Sequence, residues 1–244
     1  MTLDKILLVR HDVTNANLGY IQGQTDTRLQ SGSITRINNL ADMVIQEEGL
    51  RLEEDKRREG ASIYIFSSDL SRTYGTAERI LHYLAARRGY QLELRFTEDL
   101  KERGQGDLEG MSFEKALPIL SADPNLSPTA EGIYSLLYSS NDIPNGERSE
   151  DVAKRLERFV RNYIQQLDGV GIVSAHLISG MNYLKNLLTD GNMLGSPARP
   201  YQHYPNLSVV RLERDPQNFM RYIETGSYGP PNNNKILPLV NTGR

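Results

Sequence analysis

Four histidines occur in the 244-residue chain, and two of them, His11 and His176, follow short apolar runs. His11 closes Leu7-Leu8-Val9-Arg10-His11-Asp12, with Val13-Thr14-Asn15-Ala16-Asn17 behind it. An arginine beside a histidine can hold an anion next to a nucleophile or an acid–base group. Alone, the dipeptide reads more readily as a surface Arg and His. A second stretch runs Ser67-Ser68-Asp69-Leu70-Ser71-Arg72-Thr73-Tyr74-Gly75-Thr76-Ala77. Its Ser and Asp suit a helix N-terminus, where unpaired N–H groups attract anions. Arg72 then falls in the first turn, against the helix dipole, which points to an anion nearby. The third stretch, Leu100–Gly110, carries Gly104, Gly106 and Gly110 with Glu102, Asp107 and Glu109. Glycines permit close backbone approach and a carboxylate can be a general acid, although alone this is a charged turn. The fourth is Ile172-Val173-Ser174-Ala175-His176. His82, within a helical pattern, and His203, ahead of Pro205, read as structural.

The elements that must position these groups follow from periodicity. Lys5–Arg10, Ser62–Ser67, Gly169–Ala175 and Leu207–Leu212 read as buried strands, with Gln91–Phe96 and Phe219–Glu224 as weaker ones. Between them, Ile34, Ile37, Leu40, Ala41, Val44 and Ile45 fall on one helix face, with a stop at Gly49. Thr73, Ala77, Ile80, Leu81 and Leu84 form a second face, with Gly89 beyond it. Val152, Leu156, Phe159, Val160 and Ile164 form a third, and Met181, Leu184, Leu187 and Leu188 a fourth. Strands alternating with helices predict an α/β fold, a mainly parallel central sheet with helices on both faces. His11 and His176 then end core strands at equivalent depth, on the carboxyl rim where such sheets bind ligands. Two stretches break the alternation. Met111–Pro144, with four prolines and an apolar patch at Ile133–Tyr138, is expected to be an insertion over the sheet. Gly226–Arg244 is expected to be a docked or loose tail.

Composition narrows the classes. The absence of cysteine removes disulfides, thiolate catalysis and cysteine-ligated metal sites. A net charge of −3 supplies no global field toward nucleic acid or anionic lipid. The apolar run Ile6–Val9 is too short for a signal peptide or a membrane span, so a cytoplasmic protein is expected.

Together the motifs resemble the histidine phosphatase superfamily, in particular the cofactor-dependent phosphoglycerate mutases and their phosphatase relatives. The resemblance rests on Arg10-His11 with Thr14, Asn17 and Gln22-Gly23, then on Ser67-Ser68-Asp69-Leu70, Arg72-Thr73 and Thr76-Ala77. Glu102 ahead of Gly106 and Glu109-Gly110, and Val173-Ser174 with His176, complete it in the family's order. It implies a phosphoglycerate mutase-like fold in one domain over residues 1–244, with a cap at about 111–144. It further implies that His11 is the phosphorylated nucleophile and that Arg10, Arg72 and His176 hold the phosphoryl oxygens. Asn17, Gln22 and Gly23 would bind phosphate from one loop, and Glu102 would be the proton donor. No metal and no cofactor are implied. The expected partner is a small phosphorylated metabolite, with neither nucleic acid nor membrane, and a homodimer is left open.

The expected reaction is metal-independent hydrolysis of a small phosphomonoester. The alternatives are a phosphoglycerate-type mutase or a catalytically impaired phosphate-binding module. A mutase of this kind carries an Arg pair in the insertion, whereas Met111–Pro144 has Lys115 as its one basic residue, which favours hydrolysis. Arg103 beside Glu102 is mutase-like. The family pattern has glycine after each histidine, where this chain has Asp12 and Leu177. Asp12 is therefore expected to raise the His11 pKa or weaken phosphate binding, and Leu177 to shift the rim.

Overall fold

Strand β1 (Lys5–Arg10) decides the layering, because its side chains alternate between two cores. Ile6 and Leu8 join one apolar cluster, Leu7 and Val9 the other, and all four are fully buried. The computed structural model describes residues 3–48, 62–86, 91–123, 125–190, 200–218 and 221–229. Within them the sheet runs β3-β2-β4-β1-β5-β6. Its strands are β2 (Ser62–Ser67), β3 (Gln91–Phe96), β4 (Val170–Ala175), β5 (Val209–Arg214) and β6 (Tyr222–Tyr228). The pairs β2–β3, β2–β4 and β1–β4 are parallel, and β1–β5 and β5–β6 antiparallel.

One face is covered by α1 (Ser33–Glu47) and α2 (Ser71–Ala85), which contribute Ile37, Leu40 and Val44, and Ala77, Ile80 and Leu84. Ile34, expected on that buried face, sits in the first turn of α1 and is exposed. The stops expected at Gly49 and Gly89 lie outside the described residues. The other face is covered by α5 (Ser149–Asn162), through Val152, Leu156 and Phe159, and by the segment after β4. That segment, expected as a single helix, is a π-helical turn over Ser179–Leu184 followed by α6 (Lys185–Asp190). Gly180 allows the turn to lie on β4, since a Cβ there would stand 2.4 Å from that of Ala175.

The insertion forms two helices, α3 (Phe113–Leu120) and α4 (Ala130–Ser139), whose Phe113, Ile133, Tyr134 and Leu137 extend the second core. The last strands differ from expectation. Leu207 adopts φ 62° in a turn, so β5 begins later and reaches Arg214. Strand β6 continues to Tyr228, because Gly226 and Ser227 pair with Arg211 and Val210, so the expected tail begins inside the sheet. Residues 230–244 lie outside the described residues.

Candidate active site

The β1–β4 register sets Arg10 opposite Ala175, so His11 and His176 leave the sheet side by side. Their ring centroids lie 5.4 Å apart at 63°, and both rings are buried. Nδ1 of His11 stands 2.7 Å from the Asp12 carbonyl. A carbonyl only accepts, so Nδ1 carries the proton and Nε2 keeps its lone pair. Burial, reinforced by Arg72 and Arg10, holds the His11 pKa well below the ordinary histidine value. A neutral imidazole with a free Nε2 is what a nucleophile requires.

His176 is ordered from α2. Thr73 Oγ1 donates to the Leu70 carbonyl at 3.0 Å, and Ser68 Oγ donates to Thr73 at 2.7 Å. Ser68 Oγ is thereby left to accept from His176 Nε2 at 3.1 Å. Nδ1 of His176 is buried without a hydrogen-bond partner among the described residues. Burial, then Arg72 and His11, lowers the His176 pKa well below its ordinary value.

Two guanidinium groups flank His11. Arg10 Nη1 donates to the Tyr204 carbonyl. Arg72 donates through Nη1 to Thr25 O at 2.8 Å and through Nη2 to Gly23 O at 2.7 Å. The Nε of each is buried without a partner among the described residues. Unpaired buried donors of this kind carry a desolvation cost that an anion would remove. The anion inferred at the start of α2 is Asp26, whose carboxylate accepts from Ser71 N and Ser71 Oγ, each at 2.7 Å. Leu70, not Ser or Asp, occupies the N-cap position.

Glu102 faces the histidines from the loop after β3. Its Oε1 accepts from Arg103 N and Ser179 N, each at 2.8 Å, and Oε2 from Ile178 N at 3.1 Å. The backbone that opens the π-helical turn thus aims the carboxylate. Arg155 of α5 holds the same loop, donating to the carbonyls of Asp99, Lys101 and Glu102. Glu109 fastens the phosphate-side loop, accepting from Gln24 N and Thr25 Oγ1. Gly23 makes this possible, with φ +51° and a would-be Cβ 2.1 Å from Glu109 Oε1.

Arg10, His11, Asn17, Gln22, Gly23, Arg72 and Glu102 line one cavity of about 10 Å³, room for about one water. Of the residues expected in the site, His176 alone is not part of that lining; it stands behind, against His11. Sequence reasoning missed Gln105 and Ser68 as functional, and gave Tyr134 only as a cap side chain; Gln105 and Tyr134 also line the cavity. Gln105 is buried, and neither Oε1 nor Nε2 has a partner among the described residues. Its position between Gly104 and Gly106, three residues after Glu102, was the available signal.

One expectation needs correction. Asp12 does not act on His11 through its charge, because Arg36 Nε lies 3.1 and 3.0 Å from its two carboxylate oxygens and neutralises it. The His11 pKa moves down, not up, through burial first and then Arg72 and Arg10. Leu177 lines the cavity with a buried side chain, and the backbone turns directly into the N–H groups that hold Glu102. Among the described residues, no group of three or more His, Asp or Glu side chains is arranged to hold a metal ion. No helix among them is long and apolar enough to cross a membrane.

Residues 6–222 match the model of the histidine phosphatase superfamily, branch 1. The chain belongs to that superfamily. Over 148 residues it is 30% identical to phosphoglycerate mutase-like protein 4 of Arabidopsis thaliana, across 60% of this chain and 54% of that protein. The chain thus spans about half the length of that curated relative. A mycobacterial glucosyl-3-phosphoglycerate phosphatase has a similar fold, with TM-score 0.65 and 21% identity over 91% of this chain and 96% of its own. A phosphoglycerate mutase from Bacillus anthracis str. Sterne gives TM-score 0.62 and 18% identity, over 90% of each chain. Both confirm the phosphoglycerate mutase-like α/β fold.

Proposed function

We propose that this superfamily member is a metal-independent phosphatase that hydrolyses a small phosphomonoester through a phosphohistidine on His11. The observation that carries the reading is a neutral His11, with its Nε2 lone pair kept, between two arginines whose Nε groups lack partners among the described residues. Nε2 attacks phosphorus, the bond from phosphorus to the ester oxygen breaks, and Glu102 delivers a proton to that oxygen. Water then attacks the phosphohistidine, the phosphorus–nitrogen bond breaks, and Glu102 takes the proton from the water. Arg10 and Arg72 meet the charge of the transferring group with no metal required. A dianion held in the cavity favours the protonated form of His176 behind His11, which gives Nδ1 a hydrogen to donate.

Hydrolysis is favoured over mutation of the phosphate position by where the remaining cations go. Arg103 is consumed by the protein: Nε donates to Glu147 O, Nη1 to Leu137 O and Nη2 to Ser140 O. Lys115 is exposed on α3 and does not line the cavity. The cap instead offers the Tyr134 phenol, beside the Gln105 amide. That lining suits an uncharged, hydroxylated body better than a second phosphate or a carboxylate, each of which needs its own donors. With room for about one water, the cavity must widen before such a substrate enters. The impaired-module alternative loses its main motive once Asp12 is paired.

The test is release of phosphate from an aryl phosphate in the presence of excess chelator. Turnover should persist, and acid-quenched enzyme should carry an acid-labile phosphoryl group that His11→Ala abolishes. Activity lost to chelator and restored by magnesium or zinc would point to a metal-assisted route instead.

A further inference from the structure

We propose that the pair of buried Asp12 with half-buried Arg36 is a positioning device for His11, clamping the peptide whose carbonyl fixes the imidazole and cancelling a carboxylate beside the phosphoryl site. The inference rests on the reading of His11 as nucleophile. Every polar atom of residue 12 is committed. Its carbonyl receives His11 Nδ1–H, and its N–H donates to Thr76 Oγ1 at 3.2 Å. Oδ1 accepts from Val13 N at 2.7 Å. Arg36 Nε reaches both carboxylate oxygens at 3.1 and 3.0 Å, and Nη2 lies 2.9 Å from Oδ2. Thr76 in turn donates to the Arg72 carbonyl at 2.8 Å, so the clamp joins α1 and α2 to both the nucleophile and a phosphate ligand.

The electrostatic half follows from position. The charged and titratable groups that act on His11 from the packed elements are Arg10 of β1, Arg72 of α2 and His176 after β4. Glu102, from the loop after β3, acts on both arginines and shares their cavity. An unpaired carboxylate on residue 12 would add a negative charge to this set, favouring imidazolium and opposing a phosphoryl dianion. Arg36, reaching in from α1, removes it. The Asp12 side chain is fully buried and the Arg36 side chain about a quarter exposed, so solvent does little to screen the anion if its partner is lost.

The measurement is the His11 imidazole titration, followed by NMR in the full chain and assigned by its disappearance in His11→Ala, with kcat/KM on an aryl phosphate beside it. Arg36→Ala should raise the His11 midpoint by at least about half a pH unit. It should lower kcat/KM by roughly ten- to a hundredfold. Asp12→Asn, which frees Arg36, should move the midpoint the other way. The double variant Asp12→Asn/Arg36→Ala should return it toward wild type and recover most of kcat/KM. A merely structural pair gives no midpoint shifts of opposite sign. Should Arg36→Ala fail to fold, Asp12→Asn and the double variant decide. Midpoints that stay at the wild-type value in all folded variants overturn the proposal, as does a double variant no better than Arg36→Ala. The titration needs no turnover, so a wild-type chain inert on phosphate esters would sink the phosphatase reading without touching this result.

Discussion

At the scale of single residues, the functional side chains are set by what each one's second hydrogen-bonding atom is doing. His11 gives Nδ1–H to a carbonyl and is left with a basic Nε2; His176 gives Nε2–H to Ser68 and is left with Nδ1. Removing His11 removes the covalent route, so His11→Ala should cut turnover at least about a thousandfold, near 4 kcal/mol of barrier. Its far-UV circular dichroism should be unchanged. More than about a tenth of wild-type activity in that variant would rule out the mechanism. Glu102 serves the leaving oxygen, so Glu102→Ala should slow alkyl phosphates far more than aryl phosphates, which leave with little help. Equal losses on both would remove the proton-donor role. The two histidines stood out in the sequence at the ends of apolar runs, while Arg10, Arg72 and Glu102 were assigned because four motifs, each weak alone, come together in the order of a known family. Arg36, Gln105 and Ser68 were not, because their roles are conferred by groups up to 108 positions away in the chain.

At the scale of elements, the first three strands were legible residue for residue, and the last two were displaced by two to four residues. Lys5–Arg10 and Ser62–Ser67 appear with those bounds, since short Ile/Leu/Val runs ended by polar residues have few other ways to bury themselves, and Gln91–Phe96 does so as an alternating strand without a buried residue. The π-helical turn was not legible. Its apolar spacing fits an α-helix, and only the need to lie on Ala175 and present two N–H groups to Glu102 selects the wider winding. The cap was read as an irregular insertion, yet its two helices are held at the C-terminus of α4 by Arg103. That side chain supplies donors to carbonyls that no helix can satisfy by itself. Arg103→Met should therefore leave several buried acceptors unpaired and cost roughly 3 kcal/mol of stability by urea denaturation. Because the same helix carries Tyr134 into the cavity, KM should rise more than kcat falls. A variant as stable as wild type, with unchanged KM, would show that the cap is held by its apolar contacts alone.

At the scale of the whole molecule, the site imposes a pH dependence on folding. The native state keeps His11 and His176 neutral, their pKa values lowered chiefly by burial and then by Arg72. In the unfolded chain both take up protons near pH 6.5. Below that pH the unfolded state binds more protons than the native state, so stability rises with pH and is lost as pH falls. With two such groups the slope approaches about 2.7 kcal/mol per pH unit, from about pH 6.5 down to the depressed native values. His203, also lowered by burial, adds in the same direction. Urea midpoints should thus be flat above neutrality and fall steeply from about pH 6.5 to pH 5, a window still above most carboxylate titrations. Inorganic phosphate should flatten the slope as well as raise the midpoint. A bound dianion favours protonated His176 and so lets the native state take up a proton that it otherwise refuses. His176→Asn should remove one proton from the balance and reduce the slope by about 1.36 kcal/mol per pH unit. If stability is instead flat from pH 7 to pH 5 and indifferent to phosphate, the two histidines are not held neutral, and the electrostatic basis for a nucleophilic His11 goes with them.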